Sequence, residues 1–324
     1  MAAGRSTRMM TERPKVLHEV CGRPMLSYVL EACRANQVSR ILVVVGYQKQ
    51  QLIDHYAGQD DLVWVEQREQ HGTGHAVMVC EEALSDFEGT VLVVAGDMPL
   101  VRPETMRRLL DTHEDSEAAA TIATTILEDP TGYGRIVREA DGKLLGIVEH
   151  RDCTAEQLAI RECNPSYYAF DKQSLFEALS QTDKDNAKGE YYITDAVKIL
   201  NQAGRPVQAL EAISAAEATG INDRRDLATV NRMMQERIQA ELMDRGVTIV
   251  DPAKAWIEAG AQIAKDVVIL PFSFIETAVK IGRDCRVGPF AHLREGTVVE
   301  TGTRVEMVGV APRADGAKAQ ARGR

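Results

Sequence analysis

The chain has 324 residues, 44% of them hydrophobic and 27% charged, a globular composition with room for one large domain and a smaller one. Its 38 basic and 48 acidic residues leave a net charge of −10. That excludes a general binder of nucleic acid or of an anionic membrane surface, because no surplus of cations exists to neutralise phosphates.

An anionic substrate therefore has to be held by a few placed cations and main-chain amides, and the first residues offer both. The chain opens Ala2-Ala3-Gly4-Arg5-Ser6-Thr7-Arg8-Met9, followed by Pro14-Lys15. A loop of small residues lets backbone amides approach a phosphate, and Arg8 and Lys15 add fixed positive charge. The glycine spacing matches neither the P-loop nor the dinucleotide fingerprint. By itself the stretch fits a flexible basic N-terminus equally well.

From there to about Gly220, short β-rich runs alternate with amphipathic helices. Ile41–Val45, Val91–Val94 and Ala120–Thr124 are continuous apolar or β-branched segments suited to strands buried on both faces. Pro24–Ala35 and Glu104–His113 read as helices between them. Strand and helix in alternation predict an α/β, Rossmann-like, mostly parallel sheet. Residues 222–249 then read as a linker helix, with Leu227, Val230, Met233, Met234, Ile238 and Leu242 at helical spacing. On pattern alone it fits a packed helix of the first domain as well as a linker.

The cleanest periodicity comes last. Ile257, Ile263, Ile269, Ile275, Ile281, Val287, Leu293, Val299 and Val305 are spaced six apart. A period of six cannot be a helix stripe and matches a short left-handed hexapeptide β-helix, expected over 250–308. A polar, disordered tail is expected over 309–324.

The six cysteines are scattered, which reads as reduced structural thiols and not as a disulfide framework or zinc site. The longest apolar run is far too short to span a bilayer and no leader precedes the first motif, so a cytoplasmic protein is expected.

The opening segment with Pro14-Lys15-Val16-Leu17 resembles the signature of sugar-phosphate nucleotidyltransferases. Further segments resemble the bifunctional N-acetylglucosamine-1-phosphate uridylyltransferase and glucosamine-1-phosphate acetyltransferase family. They are Gln67 to Ala76, Ala95-Gly96-Asp97-Met98-Pro99-Leu100, Asp129 to Ile136, Ile147-Val148-Glu149-His150, Gly189 to Asp195 and Gly220-Ile221-Asn222. The match runs in order over 1–305 and assigns residues 1–221 to the nucleotidyltransferase domain.

The resemblance implies that Ala2, Ala3 and Gly4 lie along the base of UTP and that Gln67, Gly72 and Thr73 read uracil. It implies that Arg8 and Lys15 contact the triphosphate as catalytic cations. Asp97 and Asn222 would hold Mg²⁺, and Gly134, Glu149 and Asn164 would contact N-acetylglucosamine 1-phosphate. A sugar phosphate, with its second pKa near about 6, is already a nucleophile at neutral pH. No general base is demanded, and transfer needs positioning and charge neutralisation. The product, UDP-N-acetylglucosamine, would feed peptidoglycan synthesis.

Each role has a plainer alternative: Asp97 or Asn222 as helix caps, Glu149 as a solvated strand residue, Tyr191 and Tyr192 as core, Thr73 as a cap. The family pattern also places an apolar strand before Ala2, and a chain start further upstream is expected on that ground. Ser6, Ala95 and Pro165-Ser166 depart from it as well. The acetyltransferase half needs more coils than three, so acetyl transfer is not expected although Arg294 matches a substrate contact. A homotrimer through the β-helix is the family expectation. The rival functions are a pyrophosphorylase for another sugar 1-phosphate or nucleotide, and a non-catalytic nucleotide-sensing subunit on the same modules.

Overall fold

The computed structural model describes residues 1–4, 7–306 and 309–310. They form two compact units, one of 1–18 with 25–226, the other of 19–24 with 227 onward.

In the first unit the apolar runs become strands: β1 Ile41–Val45, β2 Leu62–Glu66, β3 Thr90–Val94, β4 Ala120–Ile126, β5 Gly134–Arg138, β6 Leu144–Val148, β7 Glu162–Asp171 and β8 Val207–Glu211. β1 pairs with β2 and β4 with β8 in parallel. The long β7 runs antiparallel between β3 and β4, and its first residues also pair with β5, which forms a hairpin with β6. Among the described residues β1 and β2 form a two-stranded parallel sheet of their own, and the six-stranded sheet is mixed, with β4 and β8 its parallel pair and the pairs around β7 and β5 antiparallel. Helices Met25–Ala35 and Pro103–Ser116 fall where the amphipathic pattern puts them.

Residues along β4 and β7 alternate between two apolar layers. Ala120, Ile122, Tyr168 and Phe170 join one layer, and Ala123, Tyr167 and Ala169 the other. Both faces are covered, which is why these runs carry no polar alternation. β7 passes through Pro165 by a local irregularity: Ser166 has φ of 65° and its N–H is bonded by the Asn164 side chain at 3.1 Å. Between the carboxyl ends of β1 and β3 lie Met1 and Ala2. The Ala2 N–H donates to Val44 O, the Met1 amine to Val94 O and the Gly96 N–H to Met1 O, each at 2.9 Å.

The second unit contains most of the helix Arg224–Asp244 and a stack of two-residue parallel strands from Thr248–Ile249 to Gly309–Val310. The strands form three ladders in which each pairs with the third strand after it, a short parallel β-helix. Seven of the hexad aliphatics are buried in one column, with Ile263 and Val305 partly so. The corners carry a second period of six. Gly260, Asp266, Phe272, Ala278, Asp284, Phe290, Gly296 and Gly302 all have φ between 55° and 90°. Gly309–Val310 pair with His292–Leu293. Residues 311–324 of the expected polar tail lie outside the described residues.

The helix packs on its own unit through glutamines as well as aliphatics. The buried Gln235 side chain accepts from the Ile257 N–H at 3.0 Å and donates to Ile257 O, and Gln239 donates to Ala255 O at 2.8 Å.

Candidate active site

The site is assembled at the carboxyl ends of β1 and β3, where open α/β sheets bind ligands. Two close approaches fix the opening loop. A Cβ on Gly46 would lie 2.9 Å from Ala3 O, and one on Gly96 would lie 2.9 Å from Met1 O. Neither position can carry a side chain without shifting the loop. Ala3 is buried and its carbonyl accepts from the Gln70 side chain, while Gly4 is exposed. Gly46 is thus a contributor outside the sequence motifs, and Gln70 one inside the Gln67–Ala76 segment to which the resemblance assigns no role.

After Gly4 the chain makes a 3₁₀ turn at Thr7–Met9, anchored by the fully buried Met9, which leaves Arg8 exposed. A second turn at Lys15–Leu17 buries Val16 and Leu17 and leaves Lys15 partly buried. Both cations meet the two oxygen-bearing residues. Lys15 Nζ is ion-paired with Asp97 Oδ2, and Arg8 Nη2 donates to Asn222 Oδ1 at 2.9 Å. The side chains of Lys15 and Asp97 are 15% and 25% exposed, so their attraction is less screened than that of a surface pair.

Asp97 and Asn222 are far apart in sequence, and one main-chain bond brings them together. The Ile221 N–H donates to Asp97 O at 3.0 Å. The loop carrying Ile221 is held by Glu217, whose buried carboxylate accepts from Thr105 Oγ1 at 2.7 Å, Arg102 N at 3.1 Å and Ser214 Oγ at 2.9 Å. Tyr133 adds a bond from its hydroxyl to Ala218 O at 2.9 Å. The capping alternatives do not describe this arrangement. No helix follows Asp97 directly, and the helix at Arg224 is capped by Asp223, which accepts from Asp226 N at 3.0 Å.

Among the described residues no three His, Cys, Asp or Glu side chains cluster as a metal cage. One carboxylate and one amide oxygen on adjoining strands of backbone are instead what a hard cation sharing its shell with phosphates and water requires. The donor set fits Mg²⁺ and does not fit zinc.

Gln67, Gly72 and Thr73 line a second wall. The Gln67 N–H donates to Val45 O at 2.8 Å, and its buried side chain turns to Gly72 O and His75. Gly72 has φ of 104°, and a Cβ there would meet Tyr191 O at 2.5 Å. Thr73 begins the helix Thr73–Met78 and its Oγ1 accepts from Ile193 N at 3.2 Å. The Gly189–Asp195 segment is therefore the support beneath this loop, with Tyr192 buried.

Gly134, Asn164 and Glu149 form a third group. Gly134 and Asn164 are register partners on β5 and β7. A Cβ on Gly134 would come 3.0 Å from Ile147. Asn164 is buried and donates to the Tyr168 hydroxyl at 2.7 Å. Glu149 directly follows β6 and accepts from Thr194 Oγ1 at 3.2 Å. Burial pushes its carboxyl above the usual carboxylate range, with Lys188 pulling the other way.

Two surface grooves, one of 430 Å³ beside Phe272, Phe274 and Phe290 and one of 270 Å³ beside His113 and Arg205, contain none of these residues.

Residues 1–194 match the family model described as the MobA-like NTP transferase domain. This chain belongs to that family, among its GlmU-type members. It is 43% identical over 295 residues to the "Bifunctional protein GlmU" of Geobacillus sp. (strain WCH70), covering 91% of this chain and 64% of that protein. With the protein of the same name from Listeria innocua the identity is 40% over 312 residues, 93% of this chain and 68% of the relative. The chain spans about two thirds or slightly less of the relatives it matches. A crystal structure of UDP-glucose pyrophosphorylase complexed with UDP-glucose superposes with a TM-score of 0.61, covering 73% of this chain and 97% of that one at 18% identity. That likeness establishes the nucleotidyltransferase fold. No helix among the described residues is long and apolar enough to cross a membrane.

Proposed function

We propose that this nucleotidyltransferase moves UMP from UTP to N-acetylglucosamine 1-phosphate, giving UDP-N-acetylglucosamine and pyrophosphate. The observation that carries the reading is the meeting of Arg8 and Lys15 with Asn222 and Asp97 beside the opening loop. Four residues drawn from three separate parts of the chain converge there, two able to neutralise phosphate oxygens and two able to share a cation.

In this reading Ala2, Ala3, Gly4, Gln67, Gly72 and Thr73 hold the nucleoside, and Gly134, Glu149 and Asn164 hold the N-acetylated sugar. The sugar phosphate attacks the α-phosphorus in line and pyrophosphate leaves from the opposite side. Arg8 and Lys15 stabilise the charge gathering on the phosphate oxygens, a pre-organised electrostatic contribution that requires no proton transfer. Asp97 and Asn222 would hold Mg²⁺, which supplies further neutralisation of the triphosphate. The resemblance of the Asp129–Ile136, Ile147–His150 and Gly189–Asp195 segments to the N-acetylglucosamine-1-phosphate uridylyltransferase family favours the N-acetylated sugar over other sugar 1-phosphates.

Pyrophosphate release from a matrix of UTP, dTTP and CTP against N-acetylglucosamine 1-phosphate and glucose 1-phosphate, with and without Mg²⁺, tests this. UTP with the N-acetylated sugar should turn over fastest and only with the metal. Turnover confined to glucose 1-phosphate would reject the substrate, and UTP binding without any turnover would reject the enzyme.

A further inference from the structure

Gln67 is buried, and its carboxamide has one fixed orientation. Gly72 O, 3.1 Å away, can only accept, so the amide must present Nε2 to it and not Oε1. The same Nε2 faces His75 Nδ1 at 3.1 Å. Since Nε2 can only donate, Nδ1 must be the unprotonated nitrogen of a neutral ring. Both amide hydrogens are then used. Gln67 Oε1 has no hydrogen-bond partner among the described residues and is not sealed from solvent.

The surroundings of His75 keep it neutral. Burial lowers its pKa below the ordinary histidine value, and the nearby His71 and Lys184 act in the same sense. The main chain and carboxylate of Glu69 oppose them. Tyr191 and His71 flank the ring, at 6.4 Å and 5.1 Å between centroids.

We propose that neutral His75 is a positioning residue that locks the Gln67 amide with its oxygen outward, so that the base site selects a pyrimidine carrying an N3–H donor. Uracil has that hydrogen and cytosine has a lone pair in its place. A Gln67 free to rotate would offer either end of its amide and lose the distinction. This rests on the reading above that Gln67 contacts the base.

The test uses the full chain and initial rates of pyrophosphate release with UTP and with CTP, at one saturating sugar phosphate. His75→Asn keeps an acceptor close to the Nδ1 position, whereas His75→Gln places its polar end near Nε2 and leaves Gln67 without one. His75→Gln should raise the KM for UTP about tenfold with kcat within about threefold, and lower the UTP:CTP ratio of kcat/KM by about tenfold. His75→Asn should keep that ratio within about threefold of the parent. The two substitutions are alike in size and polarity, so a merely structural role would move them together. Equal ratios in both variants, with Gln67→Leu having lost the discrimination, would overturn the role of His75 alone. A ratio unchanged in Gln67→Leu would overturn the base contact itself, and the proposal with it.

Discussion

Lys15 is ion-paired with Asp97, so a cation proposed to meet phosphate and a carboxylate proposed to meet magnesium are held within reach of one another. Arg8 likewise meets Asn222, through a hydrogen bond to its neutral amide oxygen at 2.9 Å. Opposite charges so placed keep the local field low, and the proposed metal nucleotide, a ligand of both signs, could take over the pairing.

Asp97→Asn should therefore lower kcat by about 100-fold or more, because it removes the carboxylate proposed to hold the metal, and Lys15→Ala by a similar factor, because it removes a cation proposed to neutralise the transferring phosphoryl group. Pyrophosphate release at saturating substrates is the measurement. A loss of under about threefold in both would remove these residues from the chemistry.

Gly72→Ala tests the loop proposed to face the base. Its φ of 104° and the 2.5 Å approach of a Cβ to Tyr191 O leave no relaxed conformation for alanine. The variant should be less stable by about 1–3 kcal/mol and bind UTP more weakly. Chemical unfolding and UTP titration read the two effects.

Glu217 has no contact with any proposed ligand, yet it ties the Asn222 loop to the start of helix Pro103–Ser116. Glu217→Ala would leave several donors without an acceptor in the interior and should cost about 2–4 kcal/mol. Activity per folded molecule should fall too, as Asn222 loses its support. Unfolding in urea, combined with kcat at a temperature where the variant is folded, checks both.

Glu149 predicts an opposition between stability and function. Its folded-state pKa is raised by burial above the ordinary 4.5. The folded protein therefore binds this proton more tightly than the unfolded chain. The associated stability is present below the unfolded pKa and is lost as pH rises through the folded one. Glu149→Gln, neutral throughout, should flatten that part of the stability profile and melt higher than the parent at pH 7. Its KM for the sugar phosphate should rise about tenfold. Melting curves from pH 4 to 8 and sugar-phosphate kinetics decide it.

Ala278 occupies one of the left-handed corners of the β-helix and is exposed. An L-residue there carries a strain of about 1–2 kcal/mol that glycine does not. Ala278→Gly should stabilise the protein by up to about 1 kcal/mol, against the usual sign for that substitution. A melting temperature a few degrees higher is the expected result.

Much of this molecule is written openly in its sequence. The runs at Ile41–Val45, Thr90–Val94 and Ala120–Ile126 are strands, and the hexad aliphatics are the buried column. The signal was strong in these places because burial on both faces, or a fixed coil length, constrains every residue. β7 was not legible, since Asn164-Pro165-Ser166 interrupts it and only the pairing on both sides makes it a strand. The roles of the buried Gln235 and Gln239 were not legible either, since nothing local in a polar helix marks the amides that bond to main chain. The candidate site was visible as residue types: Arg8, Lys15, Asp97 and Asn222 carry its charge and its oxygens. Two of its supports were not, because Gly46 and Glu217 act through contacts between distant segments that no local pattern encodes, and His75, although inside the Gln67–Ala76 segment, shows its bond to Gln67 only in the folded chain.

The left-handed corners impose an arithmetic on any change of length. Deleting one residue just before Ala278 would bring Val279 to the corner, where a β-branched side chain is poorly tolerated. It would bring Gly282 and Gly288 to the slots now filled by Ile281 and Val287. Insertions and deletions in this region should therefore survive only as whole six-residue units, so that the array can grow or shrink by repeats but cannot drift.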